Sequence, residues 1–318
     1  MKLSAKQVYD KLLNEDNILR LEGQIKFFLG DVSIIVKQRD VVGNIMQGWL
    51  DARGIEYAPS ENTQMPPDFF LNPSDKTKDL LEVKAFNRNA GPGFDIADFK
   101  MYQREIIREP YMLDVDYLIF GYDMSSEGVV TIKDVWLKKV WEITRRMEAW
   151  PLNLQIKQNV VHKIRPGIWY GEGSRDYAIF GCLEDFISAV EETVYRNPDT
   201  RAEAGAWEAN FLRSYKQYFG RNIIIPRWFD IQEKYDLKTP RMIEKLQSDR
   251  EKAILNKNKI HTRVKTLMEL YQKAIEEGDE NNIKRAKVKL DEAQEKADKA
   301  TVKLDNIENE IKKNDKNQ

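Results

Sequence analysis

Three side chains in one short stretch have the types and the spacing to do chemistry. Residues 66–86, PPDFFLNPSDKTKDLLEVKAF, place Asp68 directly after two prolines, then Glu82 and Lys84 two positions apart in an apolar run. Side chains alternate faces along a strand, so Glu82 and Lys84 share one side and Val83 takes the other. If DFFL and LLEVKAF pair as neighbouring strands, Asp68 lies beside Glu82. Adjacent carboxylates repel, and a divalent cation lets both stay ionised. Hard carboxylate oxygens, with the Val83 carbonyl as a third donor, suit Mg²⁺. Such a site fits phosphodiester hydrolysis, in which a metal polarises the phosphoryl group and acidifies a water. Lys84 would then orient that water or stabilise the developing charge. A plainer reading is a hairpin with a Glu-x-Lys pair on a solvated face. Against it stand the flanks Leu80, Leu81, Val83, Ala85 and Phe86, because a charged pair in so apolar a strand is costly unless something pairs with it.

The surrounding elements must hold these residues. Ser4 with Gln7 is a capping box opening a helix through Leu13. IKFFLGDVSIIVKQ reads as two strands joined at Gly30-Asp31, and VVGNIMQGWLDARG as a helix stopped by Gly54. IEYAP, DFFLNP and DLLEVKAF are strand-like, AGPGF is a loop, and Asp95 to Arg108 has helical spacing. DYLIFGYDM is an almost continuous apolar run, as expected of a strand buried on both faces. VVTIKDVWL, LNLQIKQ and NVVHKIRP are further strands, with LKKVWEITRRM helical between them; Asp185–Arg196 and Ala202–Tyr218 are helical again. The order predicts an α/β fold with a mixed central sheet flanked by helices.

From about residue 239 the pattern changes, dividing the chain into 1–238 and 239–318. Ile243, Leu246, Ala253, Ile260, Val264, Leu267, Tyr271 and Ala274 follow coiled-coil spacing, interrupted by Arg250 and Lys257. Ile283, Ala286, Leu290, Ala293, Ala297, Ala300, Leu304, Ile307 and Ile311 form a second seam. Two helices of about 33 residues, each roughly 50 Å long, meet at Gly278 and Asp279 and are expected to fold back as an antiparallel coiled-coil hairpin.

Composition bounds the function. The 318 residues are 42% hydrophobic and 32% charged, with a formal net charge of −1. That balance leaves nucleic-acid binding to local patches. Cys182 as the single cysteine excludes a disulfide framework, and with only His162 and His261 a Cys/His metal site is excluded as well. Cys182 reads as a core thiol and His162 as a packed strand residue. There is neither a signal peptide nor a membrane span, so the expectation is a cytoplasmic protein with no membrane partner.

The helix, the P-D strand, the E-x-K strand, then DIADFKMYQREIIR and DYLIFGYDM, together resemble the PD-(D/E)xK nuclease core. More widely, residues 20–190 are similar to type II restriction endonucleases, nearest to the group reading GGNNCC. The resemblance implies Mg²⁺-dependent, site-specific cleavage of double-stranded DNA in a restriction–modification system, by a homodimer with one active site per strand. It assigns Asp68, Glu82 and Val83 to the metal, Lys84 to the water, and Gln47 to the helix position where many members have Glu. A repair or junction-resolving nuclease shares the same core, and a non-catalytic coiled-coil scaffold remains as a different class. Asn87, Arg88 and Asn89 follow the motif strand and would face the scissile phosphate. Arg165 and the basic–aromatic mixtures Lys133–Arg165 and Arg213–Trp228 are further DNA-contact candidates, although tryptophans at such spacing also serve a core.

Overall fold

The computed structural model describes residues 1–14, 46–62, 65–125, 130–171 and 175–315. The predicted hairpin in residues 25–38 and the first residues of the helix after it lie outside this set. Two compact units appear, Met1–Tyr235 and Asp236–Gln318.

The first unit is built on a five-stranded mixed sheet: β1 (Ala58–Pro59), β2 (Phe69–Phe70), β3 (Leu80–Asn87), β5 (Asp116–Met124) and β6 (Val130–Lys138), in that order. β3 pairs antiparallel with β2 and parallel with β5, and β6 returns antiparallel to β5. The strand β5 is buried on both faces, as its unbroken apolar run requires. Leu81, Val83, Leu118 and Phe120 face one core with Val8 and Leu12 of α1 (Ala5–Asn14) and with Met46 and Leu50 of the helical residues 46–52, here α2. Leu80, Phe86, Tyr117 and Ile119 face the other, against Phe99, Tyr102 and Ile106 of α3 (Phe99–Arg108) and Phe186 and Val190 of α4 (Leu183–Arg196). The capping box at α1 forms as its sequence indicates, with Ser4 N–H donating to Gln7 Oε1 at 2.8 Å and Gln7 N–H to Ser4 Oγ at 3.3 Å. Asp98 caps α3 by accepting from the Met101 N–H at 3.1 Å.

Two sequence expectations change. LNLQIKQ and NVVHKIRP do form strands, β7 (Leu154–Lys157) and β8 (Val160–Ile164), turning at Gln158 and Asn159, which both take positive φ. They join β4 (Ala97–Asp98) in a separate three-stranded sheet, order β4-β8-β7. LKKVWEITRRM is not an α-helix: β6 runs on through Lys138, and a single 3₁₀ turn, Val140–Ile143, follows. Val140 and Ile143 are buried, and the chain must be extended again at Thr144 to let Arg145 bridge to Ile179. Cys182 is half-buried just ahead of α4, and burial pushes its thiol pKa up.

The second unit consists of α6 (Lys238–Glu277) and α7 (Glu280–Asp315), which follows α5 (Ala204–Phe219) and a single turn at Trp228–Ile231. Gly278, at φ +74°, ends α6 in the left-handed conformation that favours glycine. Val264, Ala293 and Ala297 pack together with Ile260, Leu267 and Leu290 beside them. Arg250, which interrupts the apolar series, reaches Glu308 on α7 at 3.0 Å. No described helix is long and apolar enough to cross a membrane.

Glu191 on α4 gives a pH test of this packing. Burial, then the nearby Glu208 and Glu192, raise its carboxyl to about 7, with Arg227 opposing. A folded-state value above the unfolded 4.5 means that ionisation weakens the fold. Stability is therefore lost as pH rises from the unfolded value through the folded one. Glu191→Gln should melt at a higher temperature than the wild type near about pH 8, with the gap closing towards about pH 5. Thermal melts across pH check this; identical melting at the alkaline end would contradict it.

Candidate active site

The site starts from one short antiparallel contact. Phe69 lies across from Leu81 and Phe70 from Leu80, so extending the register by one residue sets Asp68 across from Glu82. Asp68 N–H donates to the Leu81 carbonyl at 3.0 Å, and its own carbonyl accepts from Ser60 N–H at 2.9 Å. Where the β2–β3 ladder ends, the aspartate side chain continues it: Val83 N–H donates to Asp68 Oδ2 at 2.9 Å. A cis peptide joins Pro66 to Pro67 just before it.

Glu82 and Lys84 are not surface charges. They are 1% and 4% exposed, and they form an ion pair within β3. Their face of the strand is that of Leu80 and Phe86, which looks onto the core holding Tyr117 and Ile119. Tyr117 lies beside Glu82 on β5. Its phenol pKa is driven well up, first by burial and then by the negative charges of its neighbours, Glu82 and Asp68 among them.

Among the described residues no three or more His, Cys, Asp or Glu side chains gather to hold a metal. The donors that the sequence offers for a metal are two carboxylates, Asp68 and Glu82, and the Val83 carbonyl. Hard oxygens in that number fit a cation that keeps much of its water shell, as Mg²⁺ does.

The other sequence candidates go elsewhere. Gln47 is exposed on α2 and hydrogen-bonds the Tyr57 hydroxyl, which donates to Asp51 at 2.9 Å. Asn87 ends β3 and accepts from Asn89 N–H at 2.9 Å; Asn89 is exposed. Arg88 is engaged internally, ion-paired to Asp134 with its guanidinium 4.1 Å from the Tyr170 ring centroid and 5.6 Å from that of Trp136. Gly121 is needed beneath it, since a Cβ there would come within 2.7 Å of Arg88 Cδ and 2.9 Å of Trp136. Arg165 pairs with Asp95 and donates to the Gly93 carbonyl at 2.8 Å, anchoring the AGPGF loop. Of the basic–aromatic stretch, Lys139 binds Asp116 at 2.9 Å and Arg146 lies over Tyr177 and Trp228.

The sequence reading missed Ile168, Tyr170, Gly171 and Arg175, which with Arg88, Asn89 and Gly91 line a cavity of about 400 Å³ past the end of β3. Gly167 and Gly171 give that stretch the glycine signal of a loop.

The sequence profile of the NgoBV restriction endonuclease family matches residues 2–235. The chain is 64% identical over 242 residues to the type II restriction enzyme NlaIV of Neisseria lactamica, spanning 75% of this chain and all of that one. It is 60% identical over 162 residues to the type II restriction enzyme NgoBV of Neisseria gonorrhoeae, covering 50% of this chain and 92% of that one. The solved NlaIV restriction endonuclease superposes with a TM-score of 0.70 at 58% identity, over 74% of this chain and 98% of that one. These define the class, a site-specific deoxyribonuclease of the type II restriction enzymes. The chain belongs to the NgoBV restriction endonuclease family.

Removing one member of a buried ion pair strands the other. Glu82→Leu alone should cost about 3 kcal/mol, while Glu82→Leu with Lys84→Met should recover most of it. Urea unfolding of the single and double variants measures both, and a double variant as unstable as the single would refute a buried, mutually dependent pair.

Proposed function

We propose that the chain is the nuclease of a restriction–modification system, cutting double-stranded DNA at a defined site, with GGNNCC the sequence implied by its nearest group. In this reading the first unit is a PD-(D/E)xK core, the second an antiparallel coiled-coil hairpin, and the enzyme a cytoplasmic homodimer with one active site per strand. The observation that carries it is the junction of β2 and β3, where Asp68 grips the Val83 amide beside the buried Glu82–Lys84 pair.

Asp68, Glu82 and the Val83 carbonyl would hold Mg²⁺. When bound, it supplies charge stabilisation at the phosphoryl group and a water of lowered pKa. Asp68 is partly exposed, so the phosphate approaches from its side of the pair. Lys84 donates a hydrogen bond to the attacking water and holds it in line with the scissile bond. Its burial strengthens that contact, because little solvent screens it. Gln47, which hydrogen-bonds the Tyr57 hydroxyl, keeps in this reading an outer-shell role through water. Asn89 and the cavity between Arg88 and Arg175 face the DNA past the end of β3.

Asp68→Asn tests the assignment, since an amide oxygen still accepts from Val83 N–H but carries no charge for a cation. It should melt like the wild type and cleave unmethylated duplex DNA at least about 10²-fold more slowly. Discrete fragments from the wild type that require Mg²⁺ support the reading. Cleavage of branched rather than linear duplex would replace it with a junction-resolving nuclease, and wild-type rates in Asp68→Asn would remove Asp68 from the site.

A further inference from the structure

Arg88 is the first residue past β3, and the sheet itself fixes its backbone. Its N–H donates to the Tyr122 carbonyl of β5 at 2.8 Å, next to the pairing of Asn87 with Tyr122. Alternate residues of a strand share a side, so Arg88 continues the face of Glu82, Lys84 and Phe86. Four residues at about 3.3 Å each set it roughly 13 Å along the strand from Lys84.

The side chain is built into place. Its guanidinium lies over the Tyr170 ring, and Asp134 pairs with its Nε. Trp136 and Tyr170 stack on each other at a centroid distance of 5.2 Å, and Gly121 leaves room for the arginine stem. Arg88 also lines the cavity of about 400 Å³ that it shares with Asn89, Gly91, Ile168 and Arg175. Because Asp134 is met at Nε, the edge formed by the two terminal nitrogens is left for a ligand. Arg175, the other cation of this cavity, donates to the Tyr170 carbonyl at 2.6 Å and to that of Gly171, and so fastens the wall.

Two properties of the Arg88 edge choose its ligand. It presents parallel N–H groups in one rigid plane, which match two acceptors side by side. Asp134 already offsets its charge, so a phosphate would be repelled by the carboxylate while being attracted by the guanidinium. A neutral edge with two acceptors meets no such opposition. On the major-groove side of duplex DNA, guanine offers that edge in its N7 and O6.

We propose that Arg88 is a specificity-determining residue that reads a guanine of the cleavage site through N7 and O6, with Asp134 and Tyr170 holding the guanidinium for that contact. The inference rests on the first unit cutting duplex DNA at a site that contains guanine.

The test uses 7-deazaguanine, which lacks the N7 acceptor but keeps O6 and Watson–Crick pairing. Full-length wild type is compared in Mg²⁺ with Arg88→Lys, which keeps the charge and loses the fork. Substrates are a duplex carrying GGNNCC and duplexes with 7-deazaguanine at the first or the second guanine of both strands. Wild-type kcat/KM should fall about 5-fold or more at one of these positions. Arg88→Lys should cut the unmodified duplex at least about 10-fold more slowly. Modifying that same guanine should then cost it less than about twofold more, because the contact is already gone. Each ratio of modified to unmodified substrate is taken within one protein, so a variant that folds only in part still reports it. A wild type indifferent to N7 at both positions overturns the proposal whatever the variant does. So does an Arg88→Lys that keeps the full wild-type response to N7, since a phosphate contact or lost packing slows all substrates alike. Failure of the nuclease reading shows separately, as a wild type that yields no Mg²⁺-dependent fragments from the unmodified duplex.

Discussion

A glutamate and a lysine two residues apart, buried almost completely in a strand that is otherwise apolar, set the terms for the first unit. Neither charge is tolerable there alone, and each neutralises the other in surroundings that screen poorly. The pair therefore requires that β3 be an inner strand, with β2 on one edge, β5 on the other, and cores against both faces. It also requires a precise partner at the open end. Asp68 provides it by using its side chain where the short β2 runs out of backbone. Two residues of β2 are enough, because their purpose is to deliver Asp68 to Val83 rather than to extend the sheet.

The same economy governs the loops past β3. Arg88 is fixed by Asp134 and by the faces of Trp136 and Tyr170, and Phe86 stacks against both of those rings, with centroids 5.9 and 5.4 Å away. A guanidinium held by planar contacts loses little freedom when it meets a further anion. Arg165, by contrast, is bound to Asp95 and Gly93, and its work is to fasten the loop preceding β4. Basic residues that look alike in a composition count thus differ in what they are free to touch.

Asp236–Gln318 obeys other rules. Its helices make contact through small residues, Ala293 and Ala297 against Val264, and a cross-helix ion pair fills a break in the apolar seam. Local spacing decides nearly everything in such a pair, so its helices were legible down to Gly278 at the turn. They run longer than the apolar series alone indicated, 40 and 36 residues, because polar helix formers extend them past the last seam positions.

In the first unit, the sequence by itself determined what is local: the capping box at Ser4, the strand character of residues 80–87 and 116–124, the alternation that puts Glu82 and Lys84 on one face, and the proximity of Asp68 if two strands paired. These follow from residue type and from periods of 2 and 3.6. Tertiary structure decided what depends on partners distant in the chain. It fixed the parallel pairing of β3 with β5, the second sheet for β7 and β8, and the extended chain after Ile143 where a helix was indicated. It also placed Gln47 beside Tyr57, and paired Arg88 with Asp134 and Arg165 with Asp95. Spacing along a chain says which side chains share a face, but which partner saturates a charge depends on the elements packed opposite, and those are set only when the sheet closes.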